Sequence, residues 1–189
     1  MNTRKRAKWI RVLVGFAALA VMLGGIPARS DTQSHLRDPG KYEERLAKQV
    51  RHELVMLPYY SVFDWLTFQV QGDRVILNGE VSRPSLRLDS ASVVKKIEGV
   101  SAVTNNIQVL PLSPNDDRLR LALYRAIYSD SALSRYAIQP VGPIHIIVNR
   151  GHATLEGVVA NETDRNIANI RANGVPGVFS VTNHLIVEK

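Results

Sequence analysis

Val75-Ile76-Leu77-Asn78-Gly79-Glu80-Val81 returns 78 residues later as Ala153-Thr154-Leu155-Glu156-Gly157-Val158-Val159. The same step carries Arg87 onto Arg165, Gly99 onto Gly177, Val100 onto Val178, Val103 onto Val181, Asn105 onto Asn183 and Val109 onto Val187, with no gap. A fixed internal period means that one supersecondary unit is used twice, so the fold is read per repeat and the function per pair.

Around Gly79 the apolar residues alternate. Leu66, Phe68 and Val70 form one set and Val75, Leu77 and Val81 another, with Gly72-Asp73 between them. This predicts two strands joined by a tight turn, and Gly79 within the second strand leaves room for close backbone approach or a bulge. Upstream, Leu46, Val50, Leu54 and Leu57 mark one helical stripe, ended by Pro58. Glu44, Arg45, Lys48, Arg51 and His52 lie on its opposite, solvated side. Downstream, Pro84 suits a first helical turn, Ser90, Val94 and Ile97 share a face, and Gly99 is the expected helix stop. Val103 to Val109 is a third strand.

The second unit repeats the order. Asp116 and Asp117 suit a helix N-terminus, Leu119, Leu123, Ala126 and Ile127 give its stripe, and Ile144, Ile146 and Val148 pair back onto Ala153, Leu155 and Val159 through Gly151. Asn161 is an N-cap with Asp164 three positions on, Pro176-Gly177 ends the next helix, and Val181, Leu185 and Val187 supply the last strand. Leu46 matches Leu123 at a step of 77, so one residue of insertion separates the units. The expected class is α+β: two tandem αββαβ repeats, each a three-stranded mixed sheet with two helices on one face. The right-handed crossover makes strand three parallel to strand two but leaves its neighbour open.

The expected organisation is a signal peptide over 1–30, a linker over 31–41, a first domain over 42–111, a link over 112–115 and a second domain over 116–189. Units of this size are marginal alone, so the two are expected to pack together. In the leader, Arg4, Lys5, Arg6, Lys8 and Arg11 precede an uncharged run from Val12 to Ile26. That run makes roughly 22 Å of helix, short of the ~30 Å hydrocarbon core, and Ala28-Arg29-Ser30 offers small residues for cleavage. A cleaved secretory signal places the body in the periplasm; an uncleaved inner-membrane anchor facing the same side is the alternative. The formal charge of +7 also belongs to this segment: outside it stand 18 basic against 17 acidic residues. The basicity is therefore no nucleic-acid surface. With no cysteine in the chain, disulfides, thiolate metal sites and lipid attachment at a cysteine are excluded.

Leu-x-Gly-x-Val (Leu77 to Val81, Leu155 to Val159), a helix, and Gly-Val-x-x-Val-x-Asn-x-hydrophobic-x-Val (Gly99 to Val109, Gly177 to Val187) together resemble the BON domain, named for bacterial osmotically induced and nodulation proteins. Gly79, Gly99, Gly157 and Gly177 are its structural positions. The resemblance implies an envelope module, placed behind a secretory signal, that binds phospholipid or associates with other envelope proteins, and it brings no catalytic residue. Tyr59-Tyr60-Ser61-Val62-Phe63-Asp64-Trp65 departs from the pattern, having no match in the second repeat.

No phosphate-binding glycine motif or Gly-x-Ser-x-Gly occurs. Ser101 follows a helix instead of opening one, and its counterpart is Phe179. His35, His52, His145, His152 and His184 include no helical metal-binding pair; His145 and His152 fall on opposite strands of the second hairpin. The expectation is a non-enzyme with no cofactor, metal, nucleic-acid partner or small-molecule substrate.

If the function is binding, it belongs where the repeats diverge. On the first helix of the second repeat, Leu121, Tyr124, Arg125 and Tyr128 turn away from the core stripe, with Arg118 beside them, where the matching helix carries charges. Tyrosine rings at headgroup level and arginine on phosphate suit a membrane surface. The same face also suits a protein partner, or packing against the first repeat beneath the Tyr59 to Trp65 loop.

Overall fold

The computed structural model of the chain describes residues 39–188, so the leader and the linker up to residue 38 lie outside the described residues. The first repeat consists of α1 (Pro39–Val55), β1 (Trp65–Gln71), β2 (Arg74–Val81), α2 (Pro84–Lys95), β3 (Ala102–Asn105) and β4 (Gln108–Val109). The second consists of α3 (Pro114–Tyr128), β5 (Ile144–Asn149), β6 (His152–Val159), α4 (Glu162–Asn173), β7 (Ser180–Asn183) and β8 (Ile186–Val187). Each repeat is a mixed sheet with two helices, the expected α+β class.

The hairpin strand is central in each sheet. β2 pairs antiparallel with β1 and parallel with β3 and β4, and β6 does the same with β5, β7 and β8. This settles the neighbour that chirality left open. The third strand is interrupted, because Asn105 turns its side chain onto the Ile107 N–H and the Arg87 carbonyl. Asn183 does the same with Leu185 and Arg165.

Val75, Leu77 and Val81 meet Leu46, Val50, Leu54, Leu86 and Val94 in one core; Ala153, Leu155 and Val159 meet Leu119, Leu123, Ile127 and Ala168 in the other. Gly79 and Gly157 lie in these central strands at φ of 130° and 120°. A Cβ there would overlap the carbonyl oxygen of Trp65 or Pro143 across the hairpin. Only glycine permits that approach.

Four boundaries differ from expectation. α1 starts at Pro39, taking in the end of the expected linker, and α3 starts at Pro114, capped by Ser113 through the Asp116 N–H. Proline at a first helical position loses no hydrogen bond, so Pro39 and Pro114 each open a helix inside a segment expected to be a linker. α2 and α4 end at Lys95 and Asn173, with caps at Lys96 and Gly174. Gly99 and Gly177 therefore serve the turn into the third strand instead of stopping the helices.

The unmatched loop joins the repeats. Val62 is buried in the core of the second repeat, and its carbonyl accepts from the Ile146 N–H of β5 at 2.7 Å. His145 is buried beside the Tyr60 and Trp65 rings, at 5.7 and 4.9 Å between centroids. Its Nδ1 lies 2.6 Å from the Asp64 carbonyl oxygen, so Nδ1 carries the proton and donates. The register sets His145 opposite Glu156 and His152 opposite Asn149. The two histidines are thus apart, the first in the joint and the second on Ser180.

Burial holds His145 below the ordinary imidazole range, so the unfolded chain takes up the proton first as pH falls. Stability contributed by neutral His145 is present above pH ~6.5 and is lost as pH falls through the depressed folded value, with a slope of at most about 1.4 kcal/mol per pH unit. Glu80 acts oppositely: burial and nearby Glu156 raise it, so its contribution is lost as pH rises through its folded value. Urea midpoints are expected to drop between pH 7.5 and 5.5 for the native chain and to change less for His145→Gln.

Candidate functional site

α3 is built on a repeated core stripe, and its other faces are where the duplication diverged. At the 77-residue step, Arg118, Leu121, Tyr124 and Arg125 replace Lys41, Glu44, Ala47 and Lys48. Leu121 is 48% exposed and Tyr124 37%, and Arg118 and Arg125 are exposed on either side of them. Arg118 reaches Asn115 at 3.3 Å, and among the described residues neither arginine has a carboxylate partner. The nearby acids are occupied: Asp117 pairs with Arg120 and Asp130 with Arg171. Two uncompensated guanidinium groups thus flank a leucine and a tyrosine. Tyr124 is steadied from the first repeat by Phe63, edge-on at 6.2 Å.

Tyr128 does not belong to this surface. It is 5% exposed, and its hydroxyl donates to the Ile144 carbonyl at 2.6 Å and accepts from the Ile144 N–H at 3.2 Å. Burial raises its pKa well above the usual phenol range. A helical wheel gives the angle of Tyr128 correctly, but the segment before β5 lies over the last turn of α3, with Gly142 against the tyrosine ring. Tyr128 is a cap on the outer edge of β5.

Arg120, passed over in the sequence, is a second cap. It is buried, and its Nη2 donates to the Val148 carbonyl at 2.7 Å. With Val62 on Ile146, all three outward-facing residues of β5 have partners. Asp116 adds a clamp by accepting from the Arg150 and Gly151 N–H groups at 2.9 and 2.8 Å, which ties the β5–β6 turn to the start of α3. The signal for Arg120 and Tyr128 was a pair of long donors on the side of the stripe that meets the sheet edge, opposite Glu43 and Arg51 in the first repeat.

The BON domain family model matches residues 43–111 and again 115–189. The chain belongs to the BON domain family. Its two BON domains share glycines and core residues, whereas the exposed α3 face is specific to the second. No curated protein matches the chain. Among solved structures, CdsD, a structural protein of the type III secretion system of Chlamydia trachomatis, is 13% identical with a TM-score of 0.29, covering 76% of this chain and 92% of that one. The CdsD C-terminal domain is 14% identical with a TM-score of 0.27, covering 76% and 98%. Likeness this weak carries no inference.

Among the described residues no group of three or more histidines, aspartates and glutamates is placed to hold a metal. No described helix is long and apolar enough to cross a membrane. Ser101 donates weakly to the Asp73 carbonyl at 3.4 Å.

Proposed function

We propose that this BON protein is a non-catalytic envelope component, exported to the periplasmic side, whose second domain binds anionic phospholipid surfaces through Arg118, Leu121, Tyr124 and Arg125. The observation that carries the reading is the pair of exposed arginines, without carboxylate partners, on either side of exposed Leu121 and Tyr124. The association of BON domains with phospholipid in envelope proteins and the charged, apolar leader support it. Each arginine near an anionic surface contributes about 1 kcal/mol, and the two apolar side chains add a shallow insertion. The binding is therefore weak, reversible and salt-dependent.

Co-sedimentation of the mature chain with phosphatidylglycerol vesicles is expected at low salt and lost at high salt. Arg118→Glu with Arg125→Glu is expected to lower the bound fraction about tenfold or more, since charge reversal replaces two attractions with two repulsions. Absence of binding at low salt, or no change in the double variant, sinks the membrane reading. An adaptor for another envelope protein is the second reading, favoured by a sheet edge left open in the first domain.

A further inference from the structure

The two repeats treat the outer edges of their sheets differently. On β5 the outward-facing groups of Ile144, Ile146 and Val148 meet Tyr128, Val62 and Arg120. On β1 the equivalent residues are Leu66, Phe68 and Val70, 78 positions earlier. The Trp65 carbonyl points at β2 beneath Gly79, and backbone groups alternate sides along an antiparallel strand, so those of Leu66, Phe68 and Val70 point outward. Tyr60 approaches the Leu66 N–H. Among the described residues nothing bonds the outward groups of Phe68 and Val70. The capping residues are missing because the duplication diverged: Arg120 corresponds to Glu43, which accepts from Gly72 instead, and Tyr128 corresponds to Arg51.

This bare edge borders a groove. Between α1 and β1 lies a cavity of about 630 Å³ lined by Glu43, Ala47, Arg51, Phe68 and Val70 among others. Along the same edge it continues into one of about 540 Å³ at the joint between the repeats, where Leu54, Tyr60, Phe68, Pro140 and Val141 make an apolar wall. Arg51 stands at both, over the Phe68 ring at 6.0 Å, and has no carboxylate partner among the described residues. Glu44 is neutralised by Lys48 and Glu43 is engaged with Gly72. Arg51 is thus the cation of the groove without an ionic partner among the described residues.

We propose that the β1 edge is a docking site for an extended segment of a partner protein, which adds as a further strand with an apolar side chain in the joint cavity and a carboxylate two residues away on Arg51. Unpaired edge groups supply main-chain hydrogen bonds, and alternate side chains supply selectivity. The molecule already uses an edge in this way once: the Val62 carbonyl bonds the edge of β5 while its side chain is buried in the second domain. The site is separate from the α3 face, so the lipid reading and this one fail independently.

The test selects phage-displayed random dodecapeptides on the full chain and maps the enriched peptides by amide hydrogen exchange. Peptides with an apolar residue two positions from Asp or Glu are expected to enrich and to protect the Phe68 and Val70 amides. Their affinity is expected to fall about tenfold or more in Arg51→Glu, and in Glu43→Arg with Arg51→Tyr, which gives α1 the two caps that α3 carries. Vesicle binding is expected to be unchanged. The proposal is overturned if no peptide enriches, if protection falls elsewhere, or if both variants bind as the native chain does. Protection of Phe68 in the free chain also overturns it: a concentration-dependent signal assigns the edge to a second copy, and one abolished by deleting residues 31–38 assigns it to this chain.

Discussion

Replacing Asp64 by alanine is expected to cost about 4 kcal/mol, a large share of a domain's stability, and to release the two repeats from each other. Asp64 is fully buried. Its Oδ2 accepts from the Ser61 N–H and hydroxyl at 3.1 and 2.8 Å, and its Oδ1 from the Ser82 N–H and hydroxyl at 2.7 and 2.8 Å. Deletion leaves these donors without an acceptor; a fully buried donor stranded in this way costs about 1–3 kcal/mol, and the part-buried Ser61 and Ser82 donors lie at the low end of that range. Water entering the space recovers part of that loss, which is why the expected total stays near the lower end of the sum. The consequence reaches the second domain, because the loop that Asp64 fixes also presents Val62 to Ile146 and a carbonyl to His145. Urea denaturation of Asp64→Ala is expected to show an earlier first transition, with the Ile146 amide exchanging before global unfolding. An unchanged midpoint contradicts the assignment of the loop as the joint.

The second large effect is at Gly157. Alanine there combines a left-handed backbone at φ 120° with a Cβ driven into the Pro143 carbonyl oxygen, and that oxygen accepts from the Val158 N–H at 3.3 Å. Strained conformations of this kind cost about 1–3 kcal/mol, and displacing the carbonyl adds the loss of a hydrogen bond. A total of about 3 kcal/mol lowers Tm by roughly 6–12 °C for a chain of this size. Gly79→Ala is expected to do the same in the first repeat through the Trp65 carbonyl, whereas Gly72→Ala meets no neighbour and should cost only its turn conformation. Scanning calorimetry distinguishes the three.

The fold was legible because it is periodic. Leu46, Val50 and Leu54 announce a helix and Val75, Leu77 and Val81 a strand, and the duplication gives each assignment a second witness. What escaped was aperiodic. Val62 sits in a loop, and no spacing marks a loop residue as part of another unit's core. Tyr128 sits at an angle that an isolated helix leaves exposed, and only the chain folding back through Gly142 covers it. Arg120 drew no reading: it stands as a long donor beside the core stripe, but the carbonyl it caps belongs to a strand 28 residues further on. The α3 face was legible to the extent that it depends on α3 alone: Arg118, Leu121, Tyr124 and Arg125 are exposed as the wheel places them.

The membrane reading rests on that face and not on the rest of the helix surface, which gives it a direct test. The chain has no cysteine, so a single environment-sensitive fluorophore can be attached at Leu121→Cys and, separately, at Glu44→Cys, the matching position of α1. On phosphatidylglycerol vesicles at low salt, the label at 121 is expected to brighten and shift to the blue while the label at 44 stays unchanged. No response at 121, or an equal response at both positions, would contradict the account.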